Sequence, residues 1–173
     1  MDFGNPSRYS RAPSRCGVGR GYVLPMIAAE FVGKRLDPVV LTVPRERVIA
    51  FARAIGEDRA VHVDFDAARA AGYPDVVLPP TMLFGLELEA RGEKLLVDMG
   101  LDPLRVLHAE QSFTYHRDAH AGEELRFESV VADVYRRMGG RLEFIVQDTA
   151  VHRGGEHLVD LRQVLVIEEK EPA

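Results

Sequence analysis

The carboxyl-terminal part of the chain alternates between β-prone segments and short turns, and this pattern most restricts the possible folds. The separators are rich in Gly and polar residues, which are typical of turns. Strands joined by such short turns pair antiparallel. Two of the segments are longer than the usual five or six residues of a strand, which predicts a strongly curved sheet. The four predicted strands are 106–116, 124–137, 141–152 and 157–169.

The segment before these strands has helical periodicity instead. One more short strand is predicted over residues 39–43, and helices are predicted over 44–56, 65–72 and 81–90. The helix over 81–90 is apolar on most of its sides, which predicts that it is buried. One strand, a helical middle and then antiparallel strands indicate the α+β class. We therefore predict a long sheet that wraps around one apolar helix.

Residues 1–25 differ in composition from the rest of the chain. They contain four Arg and many Gly, Pro and Ser, with no Lys or Glu. Such a segment buries little apolar surface, so we expect a disordered tail or a mis-assigned start, since Met26 opens the first domain-like stretch. Residues 26–173 are expected to form a single domain.

Charge and cysteine content exclude several classes of function. The formal net charge is −5 and the pI is about 5.7, which argues against a protein that coats nucleic acid. Cys16 is the single cysteine, which rules out an intramolecular disulfide or a thiolate zinc cluster and fits the cytoplasm. Apolar runs stay short of the roughly 18 residues that span a bilayer. We expect a cytoplasmic protein without membrane or nucleic-acid partners.

The stretch 56–64, GEDRAVHVD, contains a candidate acid–base pair in a predicted loop. Glu57 and Asp58 come shortly before His62. An imidazole near a carboxylate suits proton transfer at neutral pH, because histidine titrates there and the carboxylate can orient it. The plainer interpretation, an ordinary loop histidine at a solvated helix end, is the more common one for a lone histidine.

Three segments of the chain carry a family resemblance: residues 51–73, 76–82 and 108–125. Together they resemble the MaoC-like hydratase/dehydratase superfamily, whose members have the hotdog fold. The middle segment is most similar to the type I fatty-acid-synthase-like dehydratase domain, a group that includes mycobacterial (3R)-hydroxyacyl-ACP dehydratase subunits. The resemblance implies a curved antiparallel sheet around a central helix. It also implies pairing of two hotdogs edge to edge, as a homodimer or a heterodimer.

The resemblance implies a reaction on acyl thioesters of coenzyme A or acyl carrier protein. Water adds reversibly across a trans-2-enoyl double bond to give the (R)-3-hydroxyacyl thioester, without a metal or a redox cofactor. The family motif Gly-Asp-x-Asn-Pro-hydrophobic-His falls on 56–62, where His62 matches the catalytic His and Glu57 replaces the catalytic Asp. Arg59 and Ala60 replace Asn and Pro. We expect His62 to be the acid–base group and Glu57, with Asp58 as second choice, to orient the water.

The start of the predicted central helix departs from the family as well. Active hydratases usually have a Gly here whose amide binds the thioester carbonyl, and the matching residue is Pro80, which has no N–H. We expect the Thr81 amide to be the donor, with Pro80 and Met82 beside the substrate. The departures leave a second interpretation open: a non-catalytic, acyl-binding subunit of a heterodimeric dehydratase.

A third alternative is an acyl-CoA thioesterase that uses a carboxylate of the central helix, Glu87 or Glu89. No family motif matches at these positions. The remaining histidines lie on or beside predicted strands, and we expect no metal site there. His116 and His120 have helical spacing but lie at a strand end and turn, and His116 with Arg117 could instead contact a pantetheine phosphate.

Overall fold

The structure is a computed structural model that describes residues 29–168. Within this range, short 3-10 turns occur at Ala29–Phe31, Pro103–Arg105 and Met138–Gly140. No helix of the described part is long and apolar enough to cross a membrane. The tail predicted for 1–25 lies outside the described residues. The strands are β1 (Val39–Thr42), β2 (Val106–Tyr115), β3 (Glu124–Arg137), β4 (Leu142–Arg153) and β5 (Glu156–Glu168), and the helices are α1 (Arg45–Ala54), α2 (Ala60–Val63), α3 (Phe65–Ala70), α4 (Met82–Arg91) and α5 (Lys94–Asp98).

The five strands form one antiparallel sheet in the order β1-β3-β4-β5-β2. Strands β3, β4 and β5 make a meander, and β1 and β2 lie at its two edges. Register shifts interrupt the β2–β5, β3–β4 and β4–β5 pairings. Such bulges bend a strand and increase its twist, so they let the long strands curve. The predicted α+β arrangement is confirmed.

Helix α4 packs against the sheet and supplies much of the main core. Met82, Leu83 and Leu86 are buried in the same hydrophobic cluster as Leu125 and Phe127 of β3. Full burial of one such side chain stabilises the fold by about 2 kcal/mol. The prediction of burial on most sides was wrong at the carboxyl-terminal turn, because Leu88 is 54% exposed.

A buried carboxylate also ties α4 to the sheet. Glu87 Oε1 accepts hydrogen bonds from Ser129 Oγ (2.6 Å), Thr149 Oγ1 (2.9 Å), Gln147 Nε2 (2.9 Å) and Arg91 Nε (2.9 Å). Buried polar groups are tolerated when they are paired in this way. The network therefore fixes the position of α4 along strands β3 and β4.

Candidate active site

His62 lies in a single helical turn, α2, and not in the loop that its motif predicted. This turn is bonded to the segment that leads into α4, since the Val77 amide donates to the Val61 carbonyl (2.9 Å). His62 is only 4% exposed. The His62 side chain is therefore shielded from solvent, although Gly56 and Asp58 of the same stretch are exposed.

The hydrogen bonding of His62 fixes its tautomer. Its Nδ1 lies 2.8 Å from the carbonyl oxygen of Val77. A carbonyl oxygen can only accept, so Nδ1 carries the hydrogen, and in the neutral ring Nε2 has the free lone pair. Nε2 is buried and has no hydrogen-bond partner among residues 29–168. A buried, unpaired acceptor of this kind is suited to act as a general base.

His62 borders a cavity of about 160 Å³ between α2, the start of α4 and the end of β2. Tyr115, at the end of β2, lines the same cavity, and its hydroxyl donates to the carbonyl of Pro80. Burial raises the pKa of Tyr115 to about 12, so its hydroxyl remains a hydrogen-bond donor near neutral pH. Tyr115 was not among the residues predicted from the sequence to form the site.

Glu57 is engaged by Arg59. Its carboxylate accepts from the Arg59 side chain at Nε (3.0 Å) and Nη2 (2.8 Å), and from the Arg59 amide (3.0 Å). The side-chain and then the backbone hydrogen bonds from Arg59 lower the pKa of Glu57 to about 2, against an opposing effect of burial. Arg59 lines the cavity, whereas neither Glu57 nor the exposed Asp58 does. The carboxylate that was expected to orient the water therefore pairs with Arg59 and does not line the cavity.

The residues predicted to bind substrate at the start of α4 occupy different environments. Pro80 lines the cavity. Thr81 precedes the first residue of α4, is exposed, and donates its amide to no acceptor within the described chain. Met82 belongs to the core and does not line the cavity.

The two glutamates considered for thioester hydrolysis lie away from this cavity. Glu87 is held by its four donors and borders a separate cavity of about 420 Å³, next to α5 and strands β2 and β5. Glu89 is exposed and pairs with Arg47. Neither position favours the thioesterase alternative.

Residues 30–161 match the family model described as FAS1-like, dehydratase domain region. A UPF0336 protein of Clavibacter michiganensis subsp. michiganensis is 39% identical over 151 residues, which cover 86% of this chain and 92% of that protein. The truncated HadBC (3R-hydroxyacyl-ACP dehydratase) complex of Mycobacterium tuberculosis is similar with a TM-score of 0.69 at 22% identity, over 80% of this chain and 98% of that chain. A MaoC-like dehydratase matches with a TM-score of 0.71 at 25% identity, over 80% of this chain and 42% of that chain. These likenesses confirm the predicted hotdog fold.

Proposed function

This chain belongs to the FAS1-like dehydratase domain region family, and from that premise we propose that it is an (R)-specific enoyl-thioester hydratase, running in reverse as a 3-hydroxyacyl-thioester dehydratase. Its substrates would be thioesters of coenzyme A or acyl carrier protein. The observation that carries the proposal is His62, a buried imidazole whose Nδ1 is bonded and whose Nε2 is unpaired beside a cavity.

In the dehydration direction, Nε2 of His62 takes a proton from the α-carbon of the 3-hydroxyacyl thioester. The electron pair of the broken C–H bond moves into the thioester carbonyl and forms an enolate. The enolate then expels the 3-hydroxyl group, which takes the proton from the imidazolium and leaves as water. One imidazole can make both transfers if the α-hydrogen and the hydroxyl lie on the same face of the substrate. Hydration follows the same steps in reverse.

The enolate oxygen needs hydrogen-bond donors, and Pro80 has no amide to offer. We infer that the Tyr115 hydroxyl turns from the Pro80 carbonyl to the substrate oxygen, since both groups line the cavity. The free amide of Thr81, at the positive end of the α4 dipole, is the second donor. We assign Glu57 a smaller role in the reaction than His62, because the carboxylate oxygens of Glu57 already accept hydrogen bonds from Arg59.

The Glu57–Arg59 pair also supports a second candidate function, a non-catalytic acyl-binding subunit. A carboxylate that accepts three hydrogen bonds from one arginine and does not line the cavity is poorly placed to orient a water molecule there. In this alternative a second hotdog supplies an intact acid–base pair, and this chain shapes the acyl site. The similar HadBC protein of Mycobacterium tuberculosis is a complex, which is consistent with such an arrangement.

The test is turnover of a short trans-2-enoyl-CoA by the purified full chain, followed by the loss of the ultraviolet absorbance of the conjugated thioester. We expect the wild type to hydrate it and His62→Gln to lower kcat/KM by about 10²–10⁴-fold. Tyr115→Phe should lower it by roughly 10²–10³-fold through the lost donor. His108→Gln, a histidine of β2 outside the His62 cavity, is the matched control and should stay near wild type.

Three outcomes would count against the proposal. A His62→Gln variant with full activity would remove its basis. Activity that appears only after mixing with a second hotdog subunit would establish the binding-subunit alternative. Release of free thiol from a saturated acyl-CoA would instead revive the thioesterase.

A further inference from the structure

Three histidines and an aspartate lie together at one end of the sheet, on the face opposite the core. Each is adjacent in sequence to a residue of the inner face: Tyr115 lines the His62 cavity, and Val151, Leu158 and Val159 belong to the core. Successive side chains of a strand point to opposite faces, so their neighbours point outward. The outward residues are His116 after β2, His152 in β4, and His157 and Asp160 in β5.

A bulge brings His157 and Asp160 to the same face. Residues three apart in a regular strand point to opposite faces. In β5, Val159 pairs with Val151 and His157 pairs with His152, which leaves Leu158 as an extra residue. Leu158 and Val159 are both buried, so the residues on either side of them are both turned outward.

The Asp160 carboxylate connects two of the imidazoles. His116 Nε2 lies 2.8 Å from Asp160 Oδ2, and His157 Nε2 lies 2.8 Å from Oδ1. The ring centres of His116 and His157 are 4.6 Å apart, and those of His152 and His157 are 5.1 Å apart. Two nitrogens from different parts of the chain are therefore directed at one carboxylate.

These donors have the chemistry of a zinc site, and they lie near enough to one another to close around an ion. Zinc binds imidazole nitrogen and carboxylate oxygen at about 2.0–2.2 Å, usually in a tetrahedron, which puts its ligand atoms roughly 3.4 Å apart. The ligand atoms of His116, His157 and Asp160 all lie within 4.8 Å of one another. We propose that these three residues bind a Zn²⁺ ion, with His152 or a water molecule in the fourth position.

The charges around the cluster do not oppose a cation. Arg117 lies 3.6 Å from a carboxylate oxygen of Glu156. Arg153 pairs with Glu156 (2.5 Å) and with Glu123 (2.6 Å). The nearby arginines are thus matched by carboxylates, and Asp160 contributes a negative charge to the site itself.

The ion would join parts of the sheet that are distant in sequence. His116 follows the edge strand β2, whereas His157 and Asp160 belong to β5. The His116 amide already donates to the Leu158 carbonyl (2.8 Å), so zinc would reinforce an existing contact. Because the ligands lie on the face opposite His62, the site does not depend on the proposed hydratase activity.

Calorimetric titration of the metal-free full chain with ZnCl₂ tests the proposal. We expect saturation at one Zn²⁺ per chain, a rise in the melting temperature on binding, and reversal by EDTA. The double variant His116→Gln/His157→Gln should bind at least about tenfold more weakly, and Asp160→Asn, which retains both imidazoles, should also bind more weakly. His108→Gln, a β2 histidine outside the cluster, should bind zinc like the wild type.

Circular dichroism shows whether each variant is folded. We expect the variants to fold, because the replaced side chains are exposed. The absence of saturable binding to the wild type would overturn the proposal. So would wild-type affinity in the double variant. Saturation at one zinc per two chains, with a doubled mass in solution, would assign the ion to a contact between copies and overturn the single-chain site.

Discussion

His62 is oriented by a main-chain acceptor, not by a neighbouring carboxylate. Its partner, the Val77 carbonyl, is itself fixed, because Val77 forms a bridge with His120 and donates its amide to Val61. The histidine tautomer therefore depends on the backbone path of residues 61–77. The proposed acid–base role of His62 therefore does not require Glu57 as an orienting partner.

The Glu57–Arg59 pair gives a prediction about stability and pH. The pKa of Glu57 falls from 4.5 to about 2 through its hydrogen bonds with Arg59. A lowered pKa in the folded state stabilises the fold above the unfolded value, and the effect is lost as the pH falls through the folded value. The wild type should therefore be more stable than Glu57→Gln by a constant amount above pH 4.5, and the difference should shrink towards pH 2.

Urea denaturation across this pH range provides the measurement. Asp58→Asn is the control, since Asp58 is an exposed neighbour without a described side-chain hydrogen bond. If the wild type and Glu57→Gln are equally stable at pH values well above 4.5, the Glu57–Arg59 pair does not form in solution.

Part of the site could be predicted from sequence because its residues belong to compact motifs. His62 and Pro80 were identified from short segments that resemble a known family. Tyr115 was missed because it is 35 residues from Pro80 and meets it only after β2 joins the sheet. Glu57 and Arg59 are two residues apart, but the sequence did not show that their ion pair would take the carboxylate from His62.

At the scale of elements, the strand bounds were predicted to within one residue, because Gly-rich turns mark the ends of the meander. Gly139 and Gly155 have positive φ angles of 69° and 89°, which other residues rarely adopt. The strand order was not predicted beyond antiparallel neighbours. The order depends on which segments, distant in sequence, pair at the two edges of the sheet. Local periodicity does not show which segments will pair.

The polar contact between α4 and the sheet gives a prediction about one helix. Glu87→Ala leaves Arg91, Ser129, Thr149 and Gln147 without their buried acceptor. We expect the free energy of unfolding to fall by about 3 kcal/mol or more, because the mostly buried guanidinium of Arg91 loses its carboxylate partner. Denaturant unfolding measures the loss.

Glu89→Ala is the control on the same helix. Glu89 is exposed and pairs with an exposed arginine, Arg47, so the change should be about 0.5 kcal/mol or less. Equal losses in the two variants would mean that the Glu87 network does not anchor α4.

At the scale of the whole molecule, β2 is an edge strand to which a strand of another molecule can bind. It has ten residues and bonds only to β5 within the described chain. Leu104 and Leu107 at this edge are 92% and 67% exposed. A long edge with exposed apolar side chains is a template for another strand. We expect two hotdogs to join through β2, and a homodimer, like a cytoplasmic location, stays a prediction.

Leu107→Lys should weaken this association, because lysine disfavours strand pairing at an edge. Light scattering after size exclusion should give twice the 19.3 kDa chain mass for the wild type and a lower mass for the variant. Val40→Lys, on the four-residue edge strand β1, is the matched control and should leave the mass unchanged. A wild type that is monomeric until a second hotdog is added would contradict the homodimer.

The strand order also has a consequence for folding. Strands β3, β4 and β5 pair with their neighbours in sequence, so these contacts close only short loops. Strand β1 must find β3 across the helical segment, and β2 must find β5 across the two strands between them. Distant contacts form more slowly, because closing a long loop loses more chain entropy. We expect the meander to form first and its edges last. Because Tyr115 lies at the end of β2, we expect the cavity beside His62 to form only in the final steps of folding.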